Sequence, residues 1–153
     1  MSNKKDTPRE YEKPRTNEMA IEFDGHPGNE AFARVAVAAF CTQLNPTLEE
    51  VADLKTALSE AITNAIIHGY EGEIHKIRVE CKIEKNTISV TVIDKGKGIE
   101  NIEEAMQPMF TTKPEMDRSG MGFVFMEAFM DQVQVESHPG EGTAVHMKKV
   151  IGG

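Results

Sequence analysis

Three short stretches of this 153-residue chain carry residue types that could bind a charged ligand and act on it. The first contains Glu60, Asn64 and His68, which stand four residues apart and therefore line one flank of any helix that holds them. Asn is a mediocre helix former because its side chain competes for the backbone, so its place in an apolar helix indicates another role. For Glu60 taken alone, the alternative is a position on a solvated helix edge. His68 would lie near the helix C-terminus, where the helix dipole is enough to explain its presence.

The second stretch, Asp94-Lys-Gly96-Lys-Gly98, ends a segment in which apolar and polar residues alternate as in a strand. The carboxylate of Asp94 would leave the sheet edge as a hydrogen-bond acceptor, and the glycines would let another backbone approach closely. These features fit a ligand site, although many strands also end in ordinary glycine turns.

The third stretch, Arg118-Ser-Gly120-Met-Gly122, stands just before a predicted helix. Glycines at a helix N-terminus expose free N–H groups and the positive end of the dipole, which suits phosphate; a flexible loop and a simple cap are the alternative. The preceding segment, 108–114, joins polar and cationic groups to turn residues and could fold over a ligand as a lid. The sequence contains neither GxxxxGK[ST], the phosphate motif of P-loop proteins, nor an early GxGxxG, the motif of Rossmann dinucleotide-binding proteins.

The elements that must position these stretches mix helices and strands. Periodicity and turn residues predict a strand over 19–23, a helix over 29–40, a helix begun by a capping box at 47–50 and stopped by Gly69, and strands over 76–84 and 87–94. They then predict a short helix over 102–106, an irregular stretch over 107–119, a helix over 121–130, a strand over 132–137, a turn over 139–142 and a last strand that ends at Lys149. The strands come mostly as hairpins. This favours an α/β two-layer sandwich, with helices on one face of a mixed, mostly antiparallel sheet.

Composition narrows the class of protein further. Residues 1–17 are polar and interrupted by proline, so we expect a disordered tail before one domain at 18–150. A net charge of −8 argues against nucleic-acid binding. No apolar run approaches the ~20 residues of a membrane span, and no secretory signal is visible, so we expect a cytoplasmic protein. Cys41 and Cys81 form no CxxC pair and are expected to be buried, and the histidines show no metal-ligand spacing.

In order along the chain, the three stretches resemble the boxes of the ATPase superfamily that includes histidine kinases, large heat-shock chaperones, DNA gyrase and MutL. Glu60–Asn64, Asp94–Gly98 and Gly120–Gly122 match the first three boxes, and Gly142-Thr143 resembles the last. The segments 59–70 and 107–123 are most similar to the small bacterial anti-sigma factors that are serine kinases, of the sporulation F type. The likeness spans about residues 17–149 and implies a Bergerat-type ATP-binding fold. Two parts depart from it: the tail before Asn17 has no counterpart, and the loop 71–75 is slightly short.

The resemblance implies a role for each matched residue. Glu60 would take the proton from a partner's serine hydroxyl, Arg118 would approach the γ-phosphate, and Asn64 would coordinate Mg²⁺. Asp94 would accept a hydrogen bond from the adenine amino group and so select ATP over GTP. The remaining contacts to ATP or ADP would come from Gly96, Gly98, Thr111, Thr112, Lys113, Ser119, Gly120, Met121, Gly122 and Thr143.

The resemblance also implies protein partners. They are a sigma factor of the sigma F type, held inactive, and a small anti-anti-sigma protein that is phosphorylated on serine. Arg34 matches a surface arginine by which the family grips its partners. The family works as a homodimer, for which the apolar helix face at 32–40 is a hint, although core packing is the preferred interpretation of that face.

Two other functions compete with that of a kinase. A nucleotide-gated sigma-binding module would need Asn64 and Asp94 but no base, so Glu60 favours the kinase. The catalytic domain of a sensor kinase would need a phosphoacceptor histidine on a long dimerisation helix, which the sequence does not show. The stress-response anti-sigma kinases are an alternative within the family.

Overall fold

One sheet of five antiparallel strands organises the molecule, whose computed structural model describes residues 16–69, 74–96, 106 and 122–152. The elements are β1 (Thr16–Asp24), α1 (Asn29–Cys41), α2 (Leu48–Asn64), β2 (Lys76–Glu84), β3 (Thr87–Asp94), α3 (Gly122–Phe129), β4 (Gln132–His138) and β5 (Gly142–Val150). A 3₁₀ turn (Thr42–Leu44) follows α1, and a π-helical turn (Ala65–Gly69) extends α2 to the predicted stop. The strand order is β1-β2-β3-β5-β4, which confirms the predicted α/β class with an antiparallel sheet.

The hairpin β2–β3 has the predicted bounds, because its sequence alternates and its turn is tight. Residues 77, 79, 81 and 83 are buried while their neighbours are exposed, as a sheet covered on one face requires. Lys85 in the turn adopts a positive φ of 55°. On the covering side, α2 packs against both α1 and α3 and contacts β3.

The start of α2 is fixed by the predicted capping box. Thr47 Oγ1 accepts from Glu50 N at 3.0 Å, and Glu50 Oε1 accepts from Thr47 N at 2.9 Å. Such a cap stabilises a helix by about 1 kcal/mol. The cap sets the register of α2, and with it the positions of Glu60 and Asn64 three and four turns later.

Two predictions need correction. The first strand begins at Thr16, so Thr16 and Asn17 pair with β2 and do not belong to the tail; residues 1–15 lie outside the described part. The face of α1 predicted as core is partly exposed: Phe32 keeps 57% and Val35 59% of their accessible surface. Ala33, Val37 and Cys41 are buried in its place, because these smaller residues fit closely against the sheet and α2. The short helix over 102–106 and the irregular stretch over 107–119 lie outside the described residues, except for a turn at Met106.

The two cysteines are both buried free thiols, as expected from the sequence. Burial raises the pKa of Cys41 to about 11 and that of Cys81 to about 12, so both stay protonated at neutral pH. Within the described ranges, the helices are too short or too polar to cross a bilayer.

Candidate functional site

The first and third stretches of the sequence meet at the end of α2. A methyl group built on Gly122, the first residue of α3, would lie 2.9 Å from Asn64 Nδ2 and 3.4 Å from Glu60 Oε2. Separations below 3.0 Å are too close for real carbon contacts, so a larger residue would displace the Asn64 side chain. The structure therefore places Glu60, Asn64 and Gly122 close together, and a side chain at position 122 would require the Asn64 amide to move.

The N-terminus of α3 adds backbone donors to this cluster. The first N–H groups of a helix have no partner within the helix, and together with the dipole they attract anions. Beside them, Asn64 offers an amide oxygen and Glu60 a carboxylate, both half-buried. Donors for phosphate thus lie next to oxygen ligands of the kind that Mg²⁺ prefers.

Asp94 forms the second part of the site, at the end of β3. Its side chain is buried, with 6% of its surface exposed, and Asp94 Oδ1 accepts from Gly96 N at 2.9 Å. Burial raises the pKa of the carboxyl from its usual 3.8 to about 6, while hydrogen bonds from the backbone of Gly96 and Thr143 oppose the rise. A carboxylate has about four acceptor positions, so Asp94 retains the capacity to accept from a ligand.

The strand β5 approaches the end of β3 unusually closely at Gly142. Its φ of 96° lies in the left-handed region, and a methyl group there would overlap Asp94 O and lie 2.6 Å from Lys95 Cα. The atoms in the way are backbone, which cannot yield as a flexible side chain can. Gly142 is therefore required for Thr143 to lie directly opposite Asp94 in the β3–β5 register.

Ser137 extends this arrangement across a third strand. It is the register partner of Thr143 in the β4–β5 hairpin. Ser137 Oγ donates to Gly142 O at 3.0 Å and lies 2.8 Å from Thr143 Oγ1. Ser137 is not among the site residues predicted from the sequence. A hairpin register counted outward from the turn at 139–141 pairs 138 with 142 and 137 with 143, and would have found it.

The two parts of the site are connected through the π-helical turn. Residues 65–69, which follow Asn64 directly, contact both β3 and β5. Such wide turns inside helices occur frequently at functional sites. Packing of this turn therefore links the end of α2 to the β3–β5 pair.

Arg34 lies on α1, opposite the residue that precedes Glu60 on α2. Its Nη1 is 3.4 Å from Ser59 Oγ and 3.6 Å from Glu30 Oε1, both long contacts, and the side chain is partly exposed. Its Nε is buried and has no hydrogen-bond partner among the described residues. The exposed Phe32 and Val35 belong to the same helix as Arg34.

Several predicted site residues fall outside the described part. They are Gly98, Thr111, Thr112, Lys113, Arg118, Ser119, Gly120 and Met121, together with the lid at 108–114 and the side chain of His68. The structure places the others: Glu60, Asn64 and Gly122 in one cluster, Asp94, Gly96 and Thr143 in the other.

The described residues fit a nucleotide and its metal. The buried acceptor Asp94 suits the amino group of a base, and the close-packed glycine at α3 suits phosphate oxygens. Within the described ranges, no group of three His, Cys, Asp or Glu side chains could hold a metal ion. Mg²⁺ is commonly bound through one or two protein ligands with phosphates and water, so the amide oxygen of Asn64 suffices chemically.

Comparison with known proteins assigns the fold and site to a class. Residues 24–149 match the model of the histidine kinase-like ATPase domain. In addition, the RsbU and RsbW domains of a Mycobacterium tuberculosis protein superpose with a TM-score of 0.63 at 18% identity, over 88% of this chain and 32% of that one. At this identity the likeness supports the fold alone.

Curated relatives identify the group within the class. Anti-sigma F factor of a Thermoanaerobacter strain is 58% identical over 137 residues, 90% of this chain and 96% of the relative. The same factor of Clostridium beijerinckii is 55% identical over 87% of this chain and 94% of its own length. That of Oceanobacillus iheyensis is 53% identical over 88% and 93%. The chain belongs to the anti-sigma F factor family of histidine kinase-like ATPase domains.

Proposed function

We propose that this protein binds and inhibits a sporulation sigma factor and, with ATP and Mg²⁺, phosphorylates an anti-anti-sigma protein on serine. The observation that carries the proposal is the contact of Gly122 with Asn64 and Glu60. It brings together a helix N-terminus that could bind phosphate, the Asn64 oxygen that could ligate a metal ion and the Glu60 carboxylate that could act as a base. The names of the curated relatives favour the sporulation group over the stress-response kinases.

The base of the nucleotide would be held at the β3–β5 end. Asp94 would accept from the exocyclic amino group of adenine, in a buried setting where an unmatched carbonyl would cost about 1–3 kcal/mol. Gly96, Gly98 and Thr143 would complete the pocket. Because the Asp94 carboxylate is already held by two backbone N–H groups, it needs little rearrangement when the base binds.

The phosphates would be held at the α3 end. Asn64 would ligate Mg²⁺, which when bound neutralises phosphate charge during transfer. The backbone of Gly120, Met121 and Gly122 would donate to phosphate oxygens, and Arg118 would balance charge at the γ-phosphate. Thr111, Thr112, Lys113 and Ser119 would contact the nucleotide from the lid and its end.

Glu60 would act on the protein substrate. A carboxylate next to the phosphate site can accept the proton of an incoming serine hydroxyl, which contributes ~10²–10⁴ in rate. A nucleotide-gated sigma binder without kinase activity would have no use for such a base, which is why the kinase is preferred.

The partner surface would lie on α1. Arg34 is partly exposed, and Phe32 and Val35 are exposed apolar residues of the same helix. Arginine and aromatic side chains are typical anchors of protein interfaces. We include in the proposal the homodimer and the cytoplasmic location expected from the sequence.

Two measurements test the proposal. Calorimetry with ADP and ATP, with Mg²⁺ and with EDTA, should show saturable and magnesium-dependent binding. Incubation with radiolabelled ATP and a candidate anti-anti-sigma protein should label that protein on serine, and a candidate sigma factor should be retained in a nucleotide-dependent way. Absence of nucleotide binding would overturn the whole proposal, whereas binding without transfer would favour the nucleotide-gated sigma binder.

A further inference from the structure

Three polar residues stand in one row across the strands β3, β5 and β4. Asp94 is the register partner of Thr143, and Thr143 is the register partner of Ser137. All three fall on the alternation of the covered face, since Val92, Val145 and Val135 occupy the next positions inward on their strands. The row therefore ends the covered face of the sheet at the proposed base pocket.

We propose that Ser137 is a positioning residue that fixes the Thr143 hydroxyl as a hydrogen-bond acceptor for the nucleotide base. The inference rests on the proposed nucleotide site and adds to it a residue that determines specificity. It concerns how the pocket distinguishes bases that carry an amino group from bases that carry a carbonyl oxygen at the same ring position.

The direction of the hydrogen bonds follows from what each atom can do. Gly142 O is a carbonyl and can only accept, so the single hydroxyl proton of Ser137 is committed to it at 3.0 Å. Toward Thr143 Oγ1, at 2.8 Å, Ser137 Oγ can then only accept. Either hydroxyl could donate across this distance; with the Ser137 proton on Gly142 O, the Thr143 hydroxyl donates to Ser137 and offers a ligand its lone pairs.

Two hydrogen-bond acceptors consequently lie side by side. The buried Asp94 carboxylate and the Thr143 hydroxyl occupy directly opposite positions on β3 and β5. The amino group of adenine offers two N–H donors, whereas hypoxanthine and guanine present an oxygen at that position. A pocket lined by two acceptors favours the amino group, and Ser137 removes the freedom of Thr143 to rotate and serve the oxygen.

The test is the ratio of dissociation constants for IDP and ADP, measured by calorimetry with Mg²⁺. In Ser137→Ala the Thr143 hydroxyl can rotate and donate to the hypoxanthine oxygen, so we expect the ratio to fall about 3- to 10-fold. Ser137→Thr keeps the hydroxyl on a side chain suited to a strand, and should retain the wild-type ratio. The ratio separates this role from a general loss of packing, which would weaken both ligands equally.

A double-mutant cycle ties the effect to Thr143. Thr143→Val removes the hydroxyl and should lower the ratio by a similar factor, and adding Ser137→Ala to it should change nothing further. A wild-type ratio in Ser137→Ala, or in Thr143→Val should Ser137→Ala fail to fold, would overturn the inference while ADP binding still supported the proposed function. A wild-type protein that binds neither nucleotide would overturn both.

Discussion

Two charged side chains are buried in the described part of the molecule, at opposite ends of the β3–β5 pair. Lys149, with 9% of its surface exposed, donates from Nζ to Phe129 O at 2.8 Å and lies 3.7 Å from Asp53 Oδ2. Asp94, with 6% exposed, is held by backbone N–H groups, and burial raises its pKa to about 6.

The different partners of Lys149 and Asp94 indicate that the first charge is structural, and they fit a ligand-binding role for the second. Lys149 faces the carbonyl at the C-terminal end of α3 and an acid on α2, so its charge joins three elements of the fold. Asp94 keeps its charge at the expense of stability, because burial raises its pKa and, among the described residues, only backbone N–H groups oppose the rise. A buried acid held by backbone N–H groups suits a pocket for a ligand that carries hydrogen-bond donors.

The largest expected effect contrasts two glutamates at opposite ends of α2, Glu60 and Glu50. Glu60→Gln should lower serine phosphotransfer by ~10²–10⁴, because the amide cannot take a proton, while ADP binding is retained. The matched control is Glu50→Gln, at the other end of the helix, where the carboxylate accepts from Thr47 N and Gly152 N. That variant should lose stability and keep phosphotransfer. Radiolabel transfer and thermal unfolding of both variants separate the roles, and full transfer by Glu60→Gln would disprove the base.

The second prediction compares the effects on stability of removing each of the two buried charges, Asp94 and Lys149. Because the pKa of Asp94 is raised in the folded protein, its ionised form lowers the free energy of unfolding by about 3 kcal/mol above pH ~6. The cost disappears below pH ~4, where the carboxyl is neutral in both the folded and the unfolded protein. Asp94→Asn should therefore stabilise the unliganded protein by up to about 3 kcal/mol at pH 8, with the gain gone near pH 4. Lys149→Met should destabilise it by about 1–3 kcal/mol, because Phe129 O and Asp53 lose their partner.

Denaturant unfolding from pH 4 to pH 8 measures this contrast. Asp94→Asn should also weaken ADP binding at least ~10-fold, as expected of a lost charged acceptor. A variant that is less stable than wild type at pH 8 would show that the carboxylate is structural, like the Lys149 ammonium.

A third prediction concerns the close approach of β5 to Asp94. Gly142→Ala should cost more stability than Gly140→Ala, by about 1–3 kcal/mol. Both glycines have positive φ, 96° and 80°, so the conformational penalty is shared. A methyl group on Gly140 meets nothing within 4 Å, whereas one on Gly142 meets the Asp94 backbone. Equal unfolding free energies for the two variants would contradict the contact.

The smallest expected effect is at the phosphate end. Gly122→Ala should weaken ADP–Mg binding by about 3- to 10-fold, because the methyl group displaces the Asn64 amide by a few tenths of an ångström. Gly28→Ala, at the start of α1, is the control, since nothing lies within 4 Å there. Calorimetry on the two variants should show loss of affinity only at position 122.

Much of this architecture can be predicted from the sequence, for identifiable reasons. The hairpin 76–94 alternates strictly around a two-residue turn, and Thr47 with Glu50 marks the start of α2, so local chemistry fixes both. The spacing of Glu60 and Asn64 on one helix flank likewise predicts half of the site, since helix geometry alone brings them together.

The rest depends on contacts between distant parts of the chain. The exposed position of Phe32 and Val35 could not be predicted, because hydrophobic periodicity does not say which of two apolar faces meets the sheet. The contact of Gly122 with Asn64 joins elements 58 residues apart, and the close approach of Gly142 to Asp94 depends on the insertion of β5 beside β3. Only the three-dimensional arrangement reveals these.

The strand order has a consequence for biosynthesis. Because β5 inserts between β3 and β4, Asp94 acquires its neighbour Thr143 only when the last strand has joined the sheet. A growing chain on the ribosome can complete the hairpin 76–94 well before that strand emerges. The adenine pocket would therefore be among the last features to form, and nucleotide capture would report that synthesis and folding of the domain had finished.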